Sequence, residues 1–276
     1  MTTEMSASIA EAYRWQRRLG NTNIPAPHCH IVAGPMHPNV WDSNHADDVT
    51  AQTDAEIEAV FAAMERHLGH TTWRVFHTDG FTPDAFLAHL AFHNFEERPV
   101  TIQMALDGDL ADRGAPIELR RVGSDSEWDA LHQLVLADHG EGRRTGDLDL
   151  TAEVTAGLVA SYRAKSGAYH FHLAIQDGAA VAYGGHAVAP NGFGMIEDLF
   201  TLRSARRQGI ATAMIAAFTQ RLRATGCQTI FLGALAAEQP KHLYARLGFR
   251  PIGLARAWVL QQPSPPNRNA RVSAPR

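Results

Sequence analysis

The sequence predicts an α/β (α+β) protein: a mixed central sheet flanked by helices, preceded by a smaller mixed α/β domain. Strand-length apolar runs alternate with amphipathic helical segments along most of the chain. The stretch DGDLADRGAP, which begins at residue 107, carries the glycine, proline and aspartate typical of a linker. The 276 residues are enough for two domains of about 100–150 residues. We therefore predict an N-terminal domain at 1–106, a linker at 107–115, a second domain at 116–262 and a disordered tail at 263–276.

Composition limits the class of protein. Hydrophobic residues make up 45% and charged residues 20%, as in ordinary globular domains, and no apolar run approaches the roughly 20 residues that span a bilayer. A net charge of −4 argues against a general nucleic-acid binder. Two cysteines provide no disulfide framework, and the N-terminus lacks the basic and apolar order of a signal peptide. The expectation is a cytoplasmic protein without nucleic-acid or membrane partners.

The N-terminal part predicts helix, strand, short helix and strand in that order. Thr53 and Glu56 form a capping box ahead of an apolar stripe that ends near Gly69. TTWRVFHT follows as a strand, Thr82 and Pro83 open a short helix, and PVTIQMAL is the next strand.

The C-terminal part predicts a longer series. PIELRRV is a strand, Ser124 with Glu127 caps a helix, and Thr151 opens a second helix. The remaining predicted elements are a hairpin YHFHLAIQDGAAVAYGGHAV, a strand GMIEDLFTL, a helix from Gly209 to Gly226, a buried strand CQTIFLGAL, a short helix from Pro240 to Gly248, and a final strand region FRPIGLARAWVLQ.

An anion site is predicted where the stretch RSARRQGIATAMIAAF, residues 203–218, begins the long helix. Three arginines and a glycine precede the apolar face of this helix. A helix start leaves several backbone N–H groups without partners and carries about half a unit of positive charge, so it binds phosphate readily. Gly209 lacks a Cβ and lets an anion approach the backbone, while Arg206 and Arg207 can add charge-assisted contacts.

The order of elements from residue 116 onward resembles the GNAT superfamily of acyl-CoA transferases. Its R/Q-x-x-G-x-G/A signature is filled by Arg206, Gly209 and Ala211. The run LFT, 199–201, stands where the family's strand grips the pantetheine arm, and LYARLGF, 243–249, matches the family's LYxxLGF ending. The resemblance implies acetyl-CoA as co-substrate, no metal, and a cofactor site made of Leu199, Phe200, Thr201, Arg206, Arg207, Gln208, Gly209, Ile210, Ala211 and Thr212.

The resemblance also implies catalytic residues. Glu197 stands where many members keep a glutamate that accepts the acceptor's proton, and Tyr244 matches the tyrosine that assists the departing thiolate. A base is useful because an amine of pKa near 10.4 is neutral in only about one molecule in 2,500 at pH 7. Neighbouring strand residues point to opposite faces, so Glu197 and Asp198 cannot share one site unless the strand bulges. We prefer Glu197, whose parity matches Leu199 and Thr201.

The acceptor is expected to be an amine of a small molecule or a peptide. The loop LADHGEGRRTGDLD, residues 136–149, joins the two helices that wall the acceptor pocket in the family. Its candidate substrate contacts are His139, Glu141, Arg143 and Arg144, although a polar glycine-containing loop is also typical of plain solvated surface. A homodimer stays an open alternative.

The N-terminal part leaves two questions. Its element order over 53–106 repeats that of the second half of a GNAT fold without a cradle motif, which indicates a degenerate, catalytically silent copy that builds the pocket or an interface. His28, His30, His37 and His45 invite a metal interpretation, but they lack the spacing of a zinc site. The alternatives to an acetyltransferase are therefore a silent acyl-CoA sensor or scaffold and, less well supported, a metal-dependent enzyme.

Overall fold

Strands from both halves of the chain join in one mixed sheet. A computed structural model describes residues 3–142 and 150–262, and within them twelve strands are found. Their order is β1-β2-β3-β4-β12-β6-β11-β10-β9-β8-β7, with β5 paired to β12. The strands are β1 Thr22–Ala26, β2 Cys29–Ala33, β3 Asn44–Asp47, β4 Trp73–Asp79, β5 Glu96–Glu97, β6 Thr101–Asp107, β7 Glu118–Arg121, β8 Tyr169–Gln176, β9 Ala179–Val188, β10 Gly194–Thr201, β11 Thr229–Leu235 and β12 Arg250–Gln261.

Helices cover both faces of this sheet. They are α1 Thr3–Arg18, α2 Asp54–His67, α3 Asp84–Phe92, α4 Asp125–Gly142, α5 Ala152–Lys165, α6 Ile210–Ala224 and α7 Pro240–Leu247, with short 3-10 turns at Trp41–Ser43 and Arg203–Ala205. One core cluster joins the sheet to α1, α4 and α5, a second joins it to α6 and α7, and a third joins it to α2 and α3. Ala255 of β12 lies in the first cluster and Trp258, on the opposite strand face, lies in the third.

The two halves repeat the same unit. In each half a strand runs parallel to a second strand after a helical crossover: β3 to β4 with Ala46 opposite Phe76, and β10 to β11 with Ile196 opposite Leu232. A short helix and a further strand follow in both halves, α3 to β6 and α7 to β12. The structure is therefore consistent with the predicted internal copy.

The halves exchange their last strands. β6 pairs with β11 along residues 101–107, and β12 pairs with β4 along residues 255–261, so each half completes its sheet with a strand of the other. β6 and β12 also pair with each other at the centre. The division into 1–106, 107–115 and 116–262 stays a prediction. Its two parts share one sheet, because backbone hydrogen bonds join β6 to β11 and β4 to β12. The predicted tail at 263–276 lies outside the described residues.

Several local predictions are confirmed and one helix was missed. Thr53 and Glu56 form the capping box of α2, and the Ser124 hydroxyl accepts a hydrogen bond from the Glu127 backbone amide at the start of α4. Helix α1 was not predicted, although Met5, Ile9 and Tyr13 recur every four residues along it. None of the helices in the described ranges is long and apolar enough to cross a membrane.

Candidate active site

Strands β10 and β11 separate at the centre of the second half. They pair in parallel only over 194–196 and 230–232, after which β10 continues to Thr201 and β11 to Leu235. Beyond Ile196, β10 keeps β9 as its partner on the other side. The edge of β10 that faces β11 is therefore left without strand hydrogen bonds there, and an extended ligand could take that place.

A β-bulge lies where the two strands part. Glu197 is opposite Gly185 but Phe200 is opposite Tyr183, so one extra residue is inserted in β10, and Asp198 has a φ of 57°. The bulge shifts the side-chain alternation. The Glu197 carboxyl group lies near Tyr13 of the α1, α4 and α5 cluster, whereas Leu199 packs against the α6 and α7 cluster. The expected shared parity of Glu197 and Leu199 is therefore wrong.

The Glu197 carboxyl group is held in an unusual environment. Its Oε1 atom is buried and has no hydrogen-bond partner within the described part of the chain. A Cβ placed on Gly233 of β11 would lie only 2.8 Å from this oxygen, so the glycine makes room for the carboxyl group. Burial and the neighbouring Asp198 raise the pKa of Glu197 to about 8, against the opposing effects of Arg17 and of the adjacent Gly233 amide.

Asp198, in contrast, is fully engaged by tyrosines. Its two carboxylate oxygens accept hydrogen bonds from the hydroxyls of Tyr162 and Tyr169, each at 2.9 Å. Burial raises the pKa of Asp198, and the nearby Lys165 ammonium and the two hydroxyls oppose that rise. The two adjacent acids therefore have different surroundings: Asp198 is fixed in a hydrogen-bonded network, and Glu197 keeps a free oxygen.

The start of α6 is open to an anion. Gly209 precedes the helix with φ 82° and ψ 1°, and no side chain in the described residues caps the helix there. A Cβ on Gly209 would meet no described atom within 4 Å. Arg207 also has a positive φ, of 66°, and residues 206–209 are exposed. A bare, positively polarised helix start of this kind fits a diphosphate.

Comparison with known proteins agrees with this geometry. The sequence model of the acetyltransferase (GNAT) family matches residues 128–249, which contain the separated strands, the bulge and the open helix start. Residues 128–249 therefore carry the sequence pattern of the GNAT family. No curated protein matches the sequence.

Solved structures extend the likeness of fold to both halves. A GCN5-related N-acetyltransferase from Kribbella flavida aligns with 94% of this chain and 96% of its own, at a TM-score of 0.65 and 19% identity. A conserved protein of unknown function from Staphylococcus epidermidis aligns over 88% and 95%, at 0.67 and 14%. A tandem GNAT protein from the clavulanic acid biosynthesis pathway aligns over 82% and 77%, at 0.57 and 16%. At these identities the likeness concerns the fold alone.

Other predicted cofactor residues hold the loop before α6 in place. The Arg206 Nε donates to the Thr201 carbonyl at 2.9 Å, and the same guanidinium pairs with Glu141 at 2.6 Å. Gln208 donates to the Ser204 carbonyl at 3.3 Å. These contacts tie the loop to β10 and α4. Ile210 is buried in the α6 and α7 cluster, and Ala211 and Thr212 are half-buried in the first turn of α6.

Tyr244 lies on α7, buried in the α6 and α7 cluster. Burial and the Glu197 carboxyl raise the pKa of the Tyr244 phenol, so its hydroxyl keeps its proton near neutral pH. Within the described ranges it accepts and donates no side-chain hydrogen bond. A protonated phenol can donate a hydrogen bond to a leaving thiolate.

The first part of the predicted substrate loop is helical. Residues 136–142 belong to α4, so His139 and Glu141 lie on its last turns. His139 Nδ1 is 2.7 Å from the Thr155 hydroxyl of α5, and Glu141 pairs with Arg206 rather than standing free for a substrate. Arg143 and Arg144 lie outside the described residues.

Sequence reasoning missed three groups near the site. Tyr13 and Arg17 reach it from α1, and Asp138 on α4 accepts a hydrogen bond from the Tyr183 hydroxyl at 2.9 Å. Burial raises the pKa of Asp138 to about 6. The regular spacing of Met5, Ile9 and Tyr13 could have indicated the helix, but only the fold brings Tyr13 next to Gly233.

The histidines of the N-terminal part do not converge. His45 is buried beside Asp47, with 3.6 Å between Nε2 and the carboxylate, whereas His28 is exposed on a turn with φ 61°. Within the residues that the structure describes, no group of three or more histidine, cysteine or acidic side chains is placed to hold a metal ion.

Proposed function

We propose that the protein transfers an acetyl group from acetyl-CoA to an amine by direct attack in a ternary complex. The observation that carries the proposal is the juxtaposition, at the end of β10, of separated strands, an uncapped helix start and a buried carboxyl group with a free oxygen. The amine as acceptor rests on analogy with the family alone.

The cofactor residues fit coenzyme A. The amides around Gly209 and the first turn of α6 would hold the diphosphate, with the Arg207 side chain as a further cation. The unpaired edge of β10 at 199–201 would hold the pantetheine arm. The Arg206 contacts to Thr201 and Glu141 fix the loop between these two parts.

The reaction needs one proton acceptor and one donor. The acceptor nitrogen forms a bond to the thioester carbonyl carbon and passes a proton to Glu197, the carbon–sulfur bond breaks, and the thiolate takes a hydrogen bond from Tyr244. A base of pKa about 8 is close to the working pH of such a step. Because the carboxylate form is the active one, kcat/KM should rise with pH through about 8.

The proposal is tested by acetyl-CoA calorimetry and by thiol release with a panel of small amines, aminoglycosides and peptide N-termini. We expect binding, release with at least one amine, and a loss in kcat of about 10²–10⁴-fold for Glu197→Gln with acetyl-CoA binding retained. Binding without release from any amine would favour the silent sensor or scaffold. Absence of binding at millimolar acetyl-CoA would overturn both.

A further inference from the structure

Helix α1 of the N-terminal half lies against the Glu197 site of the C-terminal half. The position that a Cβ on Gly233 would take is 2.8 Å from Glu197 Oε1, 3.3 Å from Tyr13 Oη and 3.0 Å from the Thr101 methyl carbon. The tyrosine hydroxyl and the carboxyl oxygen are therefore separated by no more than the sum of the first two distances. Both Tyr13 and Thr101 belong to the N-terminal half of the chain.

Arg17 follows Tyr13 by one helical turn and points the same way. Its guanidinium carbon is 4.2 Å from the centroid of the Tyr13 ring, and its Nε is 3.7 Å from the Asp42 carboxylate. Tyr13 packs edge-on against Phe231 of β11, with 6.4 Å between centroids. The Tyr13 ring is thus fixed between Phe231 of β11 and the Arg17 guanidinium.

We propose that Tyr13 and Arg17 are positioning residues for Glu197, so that the active site is built from both halves of the chain. The proposal rests on the proposed function of Glu197 as the base. Tyr13 covers the carboxyl group and keeps water from it, and Arg17 supplies a positive charge that favours the carboxylate.

The other half of the molecule shows that this arrangement is specific. Asp47 and Glu197 occupy equivalent positions, because each directly follows the last residue of its strand that pairs with the parallel neighbour. His77 of β4 and Gly233 of β11 are equivalent in the same way. Arg18, the neighbour of Arg17, donates two hydrogen bonds to Asp47 Oδ1, at 2.5 and 3.1 Å. Helix α1 therefore forms a direct ion pair with the Asp47 carboxylate but not with the Glu197 carboxyl group.

The charges around Glu197 give the direction of the effect. The described groups that interact electrostatically with Glu197 are Tyr13 and Arg17 of α1, Asp42 of the first 3-10 turn, Asp198 of β10, Tyr169 of β8 and Tyr244 of α7. Asp198 and Asp42 act to raise the pKa of Glu197, and the Arg17 cation and the adjacent Gly233 amide act to lower it. Removal of the Arg17 charge should therefore raise the pH at which Glu197 loses its proton.

The test uses the full chain with Arg17→Met, Arg17→Lys and Tyr13→Ala, and Arg14→Met as the matched control. Arg14 lies on the same helix but pairs with Asp79 and Asp48. Two readouts are compared: the pH profile of kcat/KM, and the carboxyl stretch of Glu197 in infrared difference spectra against Glu197→Gln. Calorimetry with acetyl-CoA and the Tm of each variant accompany them.

We expect Arg17→Met to move the titration of Glu197 upward by about one pH unit, and Arg17→Lys to restore it. Tyr13→Ala, which removes the ring that covers the carboxyl group, should lower kcat by about tenfold with KM for acetyl-CoA unchanged. An unchanged titration in Arg17→Met, or an equal shift in Arg14→Met, would overturn the proposal. The infrared readout needs no turnover, so a wild type that releases no thiol would count against the proposed function and leave this test standing.

Discussion

The starts of α2 and α6 occupy the same place in the two halves, but their backbone amides are capped differently. At α2, the Glu56 carboxylate accepts hydrogen bonds from the Gln52 and Thr53 amides at 2.8 and 3.0 Å, and the Thr53 hydroxyl accepts one from Glu56. At α6, Gly209 offers no such group. The first helix start is neutralised by its own chain, and the second is left for a ligand.

The acidic residues beside these helices differ in the same sense. Asp47 is wholly buried, and its interactions with His45 and Arg18 outweigh the effect of burial and lower its pKa. Glu197 has no direct ion pair among the described residues, and burial raises its pKa. In the first half, structural contacts thus occupy the site. In the second half, a carboxyl oxygen lacks a hydrogen-bond partner and a helix start lacks a side-chain cap, which is why we place the chemistry there.

Replacement of Asp47 should have the largest effect on stability. Asp47→Asn leaves the Arg18 cation without its buried partner and should cost about 3–5 kcal/mol of the free energy of unfolding at pH 7. Because the pKa of Asp47 is lowered in the folded protein, its contribution is present above the unfolded value near 4 and is lost as pH falls through the folded value. Urea unfolding from pH 7 to pH 3 should show the difference shrinking.

Glu197→Gln is the matched control for that measurement. Burial raises the pKa of Glu197, so the folded state holds its proton more tightly than the unfolded chain, and the stability of the wild type falls between about pH 4 and pH 8. The Gln variant should therefore be at least as stable as the wild type at pH 9. A large loss of stability in Glu197→Gln, with none in Asp47→Asn, would reverse the assignment of the two halves.

Gly233→Ala should have an intermediate effect. The new methyl group would approach Glu197 Oε1 to 2.8 Å and the Tyr13 hydroxyl to 3.3 Å, which forces the carboxyl group to move. We expect a cost of about 1–3 kcal/mol in stability and a loss of at least tenfold in kcat, with acetyl-CoA binding retained. Unchanged kinetics would show that the carboxyl group need not occupy this position.

Gly209→Ala should have the smallest effect. The residue has φ 82°, so any Cβ costs about 1–2 kcal/mol and adds bulk where the diphosphate would lie. Gly226→Ala, at the far end of α6 with φ 95° and open space around it, imposes the same backbone strain. We expect both variants to lose similar stability, but only Gly209→Ala to weaken acetyl-CoA binding, by about tenfold in calorimetry.

Local sequence signals predicted much of this fold, but they could not predict the contacts between segments that are distant in the sequence. Capping residues marked the starts of α2 and α4, and the glycine before an apolar stripe marked the start of α6. The bulge at Asp198 has no such mark, because an aspartate at positive φ depends on the strands around it. Tyr13 and Arg17 belong to a helix about 180 residues before Glu197, so only tertiary packing brings them to the site.

The exchange of β6 and β12 has a consequence for how the protein is made. During synthesis on the ribosome, β4 emerges long before residues 255–261 of β12, which pair with β4 along its whole length. The nascent first half must therefore wait with an open strand edge, which is a template for wrong pairing, until residues 255–261 have left the exit tunnel. Folding of the first half is thereby coupled to synthesis of the second half, and protection by chaperones would matter most in that interval.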